Sequence, residues 1–229
     1  MRNPATPLVA LSCGPWDGLP DRDRRLLLRA ASTRPVVYVQ EAVAGEYLTL
    51  RRREAEGGVV VVVPGAPPYL DGFEVNTVVA ELLSTLPELT ERAAVDLWVC
   101  SPTLLAFADE LPVRLTIFDF QRSGTAATAD TQPLTLPERD LLGVADLVLA
   151  DGEGHLQAVR DLHGNVHSVP SAEREGPARR RTPSARGAAP SGGEWDAIWA
   201  WIDHLMWEAL ARSTRRARAG RARKTAARG

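Results

Sequence analysis

Apolar runs rich in β-branched residues alternate with helix-period patterns from the first residues onward. PLVALS (7–12) leads into the helical pattern LPDRDRRLLLRAAST (19–33) and then PVVYVQE (35–41), a β-α-β succession at close range. YLTLRRRE and a valine run (58–64) follow. A helix at about 74–88 has Val75, Val78, Val79, Leu82 and Leu83 as its apolar stripe, and VDLWVCS (95–101) comes next. The series continues with a short helix at 103–109, RLTIFDFQ (114–121), a helix at 136–144, ADLVLAD (145–151), a helix at 153–163 and NVHSVP (165–170). Strands that read as near-continuous apolar runs, separated by helices, predict a parallel sheet covered on both faces. The fold class is α/β, Rossmann-like.

The alternation stops at residue 171, closing a domain over 1–171. Residues 172–193 (AEREGPARRRTPSARGAAPSGG) hold no apolar side chain larger than alanine and read as a disordered linker. The pattern resumes at 194–212, where four of the chain's six tryptophans (Trp195, Trp199, Trp201, Trp207) are concentrated. Trp195, Ile198, Trp199, Ile202, Leu205, Met206, Ala209 and Leu210 share one helical face, so this helix is expected to dock on the domain before it. Trp201 lies at the flank and Trp207 among polar positions.

Charge divides the chain unevenly. The net charge is −2, yet residues 212–229 carry eight basic and no acidic residues, against 19 basic and 29 acidic before them. An acidic body thus precedes a basic tail (213–229), expected to be disordered and able to touch an anionic membrane surface without specific nucleic-acid binding. No apolar run reaches membrane-spanning length and the N-terminus lacks a signal-peptide pattern, so a cytoplasmic protein, peripheral at most, is expected. Cys13 and Cys100, the two cysteines, are expected to be reduced and buried.

Ligands of open parallel sheets bind beyond the carboxyl ends of the strands. The polar residues placed there are Ser12, Asp17, Asp23, Glu41, Ser101, Asp119, Gln121 and Asp151. The first turn, GPWDG, is not G-x-G-x-x-G, and Pro15 removes an N–H that a phosphate would need, which argues against a nucleotide in the usual Rossmann position. Ser12 and Ser101 lack a nucleophile-elbow pattern. His163 and His167 are read as solvated, and no metal cluster is expected. Asp119 leaves two readings open: a strand-end residue capping the next turn, or a group acting in a site.

Residues 7–31, 96–121, 145–171 and 193–205 together resemble bacterial glycosyltransferases of the GT-B fold, family-4-like. NVHSVPS is similar to the last strand of that family's N-terminal, acceptor-side domain, and LWVCSPTLLAFADEL with TIFDF to its fourth and fifth strand units. The resemblance implies two Rossmann-like domains, the sugar nucleotide being held mainly by the second, with final helices that return to the first. Here about 22 residues separate NVHSVPS from the tryptophan helix, so the resemblance implies that the donor-binding domain is missing and that this helix is similar to the returning one. The family's Gln-Arg-Pro stretch is reduced to Arg22 within LPDRDRR, and its acidic pair after the fifth strand to Asp119, with Gln121 and Arg122 nearby.

What the resemblance then implies is an acceptor-side domain, weak or inactive alone in sugar transfer, with Asp119 its best catalytic candidate. Trp16, Asp17, Arg22, Ser101, Asp119 and Gln121 are its acceptor-cleft candidates. It would use no cofactor of its own, a nucleotide-sugar donor entering only if a donor site is supplied elsewhere. The alternatives are a non-enzymatic adaptor and a half-enzyme needing a separate donor-binding partner, either one recruited at the exposed former interdomain face.

Overall fold

The computed structural model describes residues 5–11, 14–90, 94–104, 111–121, 133–169 and 192–226. In chain order these form β1 (Leu8–Leu11), α1 (Asp21–Ala31), β2 (Val36–Val39), β3 (Val43–Ala44), β4 (Thr49–Glu54), β5 (Val60–Ala66), α2 (Gly72–Leu83) and α3 (Pro87–Thr90). There follow β6 (Val95–Val99), β7 (Val113–Phe120), α4 (Leu136–Val144), β8 (Leu147–Asp151), α5 (Gly152–Val159), β9 (Val166–Val169) and α6 (Gly192–Ala226). The sheet runs β3-β5-β2-β1-β6-β7-β8-β9, with β4 also on β5. From β1 the chain steps outward through β2 to β5, then crosses back to lay β6 against the other side of β1. The connections leaving β1 and β6 therefore diverge, which opens a crevice at those strand ends.

Strand alternation divides the core in two. Val9, Leu11, Phe118, Phe120 and Val148 face α2, α4 and α5, while Leu8, Ala10, Trp98, Leu115, Ile117 and Leu149 face α1 and α6. The α2 and α4 starts are fixed by capping boxes, Asp71 with Glu74 and Thr135 with Glu138.

The parallel expectation fails at one strand. β4 pairs antiparallel with β5, from Thr49 opposite Gly65 to Glu54 opposite Val60. Only residues 55–59 join them, too few for a crossover, so the chain must turn back as a hairpin. Gly57 and Gly58 take φ of 69° and 78° there, conformations that a Cβ resists. The outward arginines of β4 leave this edge charged, which discourages pairing with another chain.

The tryptophan helix docks as expected. Trp195, Trp199, Ile202, Leu205, Met206 and Ala209 are buried against α1 and the α1-side core. Trp199 stacks on Trp98 at 6.3 Å with 22° between the planes. Arg34 ties the helix to the opposite rim, its guanidinium reaching Asp203 at 2.6 Å and the wholly buried Asp96 at 2.8 Å. Trp207 points away from the core, 68% exposed.

The disordered-tail expectation is corrected, because α6 continues through Ala226. Residues 213–226 are mostly alanine and arginine, both strong helix formers, and a helix already nucleated by docking extends at little cost. The linker at 172–193 lies almost wholly outside the described residues, as do Ser12, Cys13 and most of the helix expected at 103–109. Cys100 is half-buried, not buried, being the first residue past β6. No helix among the described residues is long and apolar enough to cross a membrane.

Candidate functional site

Asp119, next to last in β7, is the centre of a buried polar network at the strand ends. It is 1% exposed. Arg22, in the first turn of α1, reaches across and donates to it twice, Nη1 to Oδ2 at 3.0 Å and Nη2 to Oδ1 at 2.9 Å. Oδ2 also accepts from Trp98 Nε1 at 3.1 Å and from Gln121 Nε2 at 3.0 Å. Asp23 joins through Oδ1, which accepts from Arg22 Nη1 at 2.6 Å and Gln121 Nε2 at 3.1 Å. Asp151, ending β8, brings Oδ1 to 3.9 Å from Arg22 Nε, and neither atom has a hydrogen-bond partner among the described residues.

Burial works against the charge on Arg22, yet the carboxylates of Asp119, Asp23 and Asp151 more than offset it and hold the guanidinium firmly protonated. Asp23 is pushed the other way. Burial first, then the negative charge of Asp119, raise its carboxyl to about 6, against the pull of Arg22 and Gln121. The native state thus holds a proton on Asp23 between pH 4 and 6 that the unfolded chain has released, so this group's contribution to stability falls as pH rises through that window. Asp23→Asn keeps an acceptor for Arg22 without the charge. Its melting temperature should exceed that of the wild type at pH 8, by on the order of 2 kcal/mol in stability, and match it near pH 4. A constant offset across that range would refute the assignment.

The network has little room for substrate. The cavity that touches Asp119 and Asp23 measures about 10 Å³, at most one water. Both Asp119 oxygens already accept charged or N–H donors, so proton abstraction there would first require Arg22 to withdraw. The arrangement braces α1, β6 and β7 against one another.

The other sequence-named residues scatter. Trp16 is 1% exposed in a 3-10 turn, packed edge-on against Tyr38 at 5.2 Å, so it belongs to the core and not to an open cleft. Asp17 is exposed and pairs with Arg53 of β4 at 2.9 Å. Ser101 is buried at the start of a 3-10 turn, its carbonyl accepting from Leu104 N. His163 is a brace, its Nε2 donating to the Ala145 carbonyl at 3.0 Å and its Nδ1 accepting from Asn165 N at 3.2 Å. His167 packs edge-on against Trp201 at 5.8 Å.

Sequence reasoning missed two features. One is Trp98, within the strand VDLWVCS, where an aromatic N–H near a strand end facing an acidic strand end is a usable signal. The other is a cleft of about 530 Å³ beyond β2 and β5, lined by Gln40, Glu41, Leu70, Asn76 and Leu104 among others. Of these only Glu41 had been singled out.

Sheet order, crossover point and flanking helices define an α/β, Rossmann-like fold that GT-B glycosyltransferases also contain. It matches a two-span form of sucrose-phosphate synthase from Thermosynechococcus elongatus at TM-score 0.53 and 12% identity, over 89% of this chain and 98% of that one. A longer chain of that enzyme matches at TM-score 0.51 and 11% identity, over 72% and 48%. An α,α-trehalose-phosphate synthase (UDP-forming) from Burkholderia xenovorans gives TM-score 0.44 and 13% identity, over 67% and 42%. This chain spans about half the length of those longer synthases. No protein-family model and no curated protein matches it.

Proposed function

We propose that this chain is a glycosyltransferase-like protein of acceptor-side form, which binds ligand at its strand ends and does not transfer sugar by itself. The observation that carries the reading is the closure of Asp119, whose two oxygens are held by Arg22, Trp98 and Gln121 inside the fold. Two further points support it. In the family resembled, the donor domain lies between the last strand of the first domain and the returning helix; here only residues 170–191 separate β9 from α6. The two-span synthase chain is also covered almost from end to end.

Purified full chain, incubated with a panel of UDP- and GDP-sugars and followed by calorimetry and nucleotide release, should show no turnover. Turnover that Asp119→Asn abolishes would overturn the reading. Turnover that appears only when a donor-binding protein is added would make the chain a half-enzyme. That second reading has exposed aromatics on its side: Tyr47 (68%) and Tyr69 (79%) stand at the carboxyl-end rim where a partner would sit.

A further inference from the structure

The 530 Å³ cleft lies where β2 and β5 end and α2 begins. Its size suits a small ligand. Among the described residues, no lysine or arginine lines it. Its polar members are Gln40, Glu41 and Asn76, and the remaining walls are apolar, Leu70, Val75 and Leu104 among them.

Each polar group is placed by the fold. Gln40 extends the line of β2, its N–H donating to Val62 O at 3.0 Å, and its Oε1 accepts from Trp16 N at 3.1 Å. The carboxamide is thereby oriented so that its NH₂ is the group left to offer a ligand. Glu41, next in the chain and exposed, adds a carboxylate at the mouth. One anion-attracting feature does border the cleft, the amino end of α2 at Gly72. Its capping box sets two carboxylates there: Asp71 accepts from Glu74 N at 2.8 Å, and Glu74 accepts from Asp71 N at 3.0 Å. Glu41 in the lining and the capping-box carboxylates of Asp71 and Glu74 beside Gly72 thus put negative charge around a space with no cationic side chain among the described residues that line it. A phosphate dianion would meet repulsion there and find no counter-charge.

Apolar walls match the C–H face of a sugar ring, the Gln40 amide and the Glu41 carboxylate match its hydroxyls, and Tyr69, beside Leu70 in the chain, offers an exposed ring. We infer that the cleft takes a sugar or related polyol without phosphate, and that it prefers one bearing an amine, which Glu41 would hold. This rests on the acceptor-side reading only in treating the ligand as an acceptor; the binding chemistry follows from the lining.

Titration of the full chain with glucosamine, glucose and glucose 6-phosphate, followed by calorimetry and saturation-transfer NMR, tests it. The expected order of affinity is glucosamine, then glucose, then glucose 6-phosphate, with about fivefold or more between the first and last. Glu41→Arg, a change at an exposed position whose melting temperature can be checked against wild type, should reverse the order of the charged pair. Tighter binding of glucose 6-phosphate to the wild type would overturn the inference, as would an unchanged order in Glu41→Arg or no binding of any probe. Loss of the cleft in this way leaves the acceptor-side reading standing, since that reading falls only to nucleotide-sugar turnover.

Discussion

Trp199→Ala should lower stability by about 3–5 kcal/mol, and so the melting temperature by on the order of 10 °C for a chain of this size. The side chain is 6% exposed and stacks on Trp98. Two losses follow from its removal: a cavity opens between α6 and the sheet, and Trp98 loses the ring that holds its indole in line with Asp119. Trp207→Ala, on the same helix but 68% exposed, should stay within about 0.5 kcal/mol of wild type. Thermal unfolding of the two variants by circular dichroism makes the comparison. Equal, small shifts would mean that α6 adds little to the stability of the domain.

Helix docking was legible because the apolar face of 194–212 repeats at a period that one surface can bury, and six of its members are buried in the structure. Most strands were legible for the same reason: Leu8–Leu11, Val36–Val39 and Leu147–Asp151 are short β-branched or leucine-rich runs between turn residues. The direction of β4 was less visible, since TLRRRE reads as a strand whichever way it pairs and only the brevity of the 55–59 connection decides it.

Positions along the chain told which residues reach the strand ends but not which of them meet. Arg22 and Asp119 are 97 residues apart and form a two-bond pair, while Trp16 and Asp17, adjacent to each other, go to the core and to the surface. A ring that could lie in a cleft and a ring that fills a core have the same sequence signature; the 3-10 turn at Trp16–Gly18 settles which this one is. The cleft of Gln40 and Asn76 depends on how the crossover from β5 lays α2 over the sheet, and periodicity carries no information about that angle.

The Arg22–Asp119 pair gives the second large expected effect. Asp119→Leu leaves a guanidinium that is 96% buried at its side chain with Asp23 as its one remaining hydrogen-bonded carboxylate among the described residues. A loss of about 3 kcal/mol is expected, because a broken buried pair leaves a charge that Asp23 alone compensates only in part. The double variant Arg22→Met with Asp119→Leu removes both charges at similar volume and should recover most of that loss, since well-packed apolar replacements of buried pairs are often neutral. Chemical denaturation of the two single variants and the double completes the cycle. Strong recovery makes the network architecture, in keeping with its closed geometry. Additive losses, with the double as unstable as the sum of the singles, would mean that Arg22 and Asp119 answer to separate partners, and Asp119 would again be a candidate for chemistry at the strand ends.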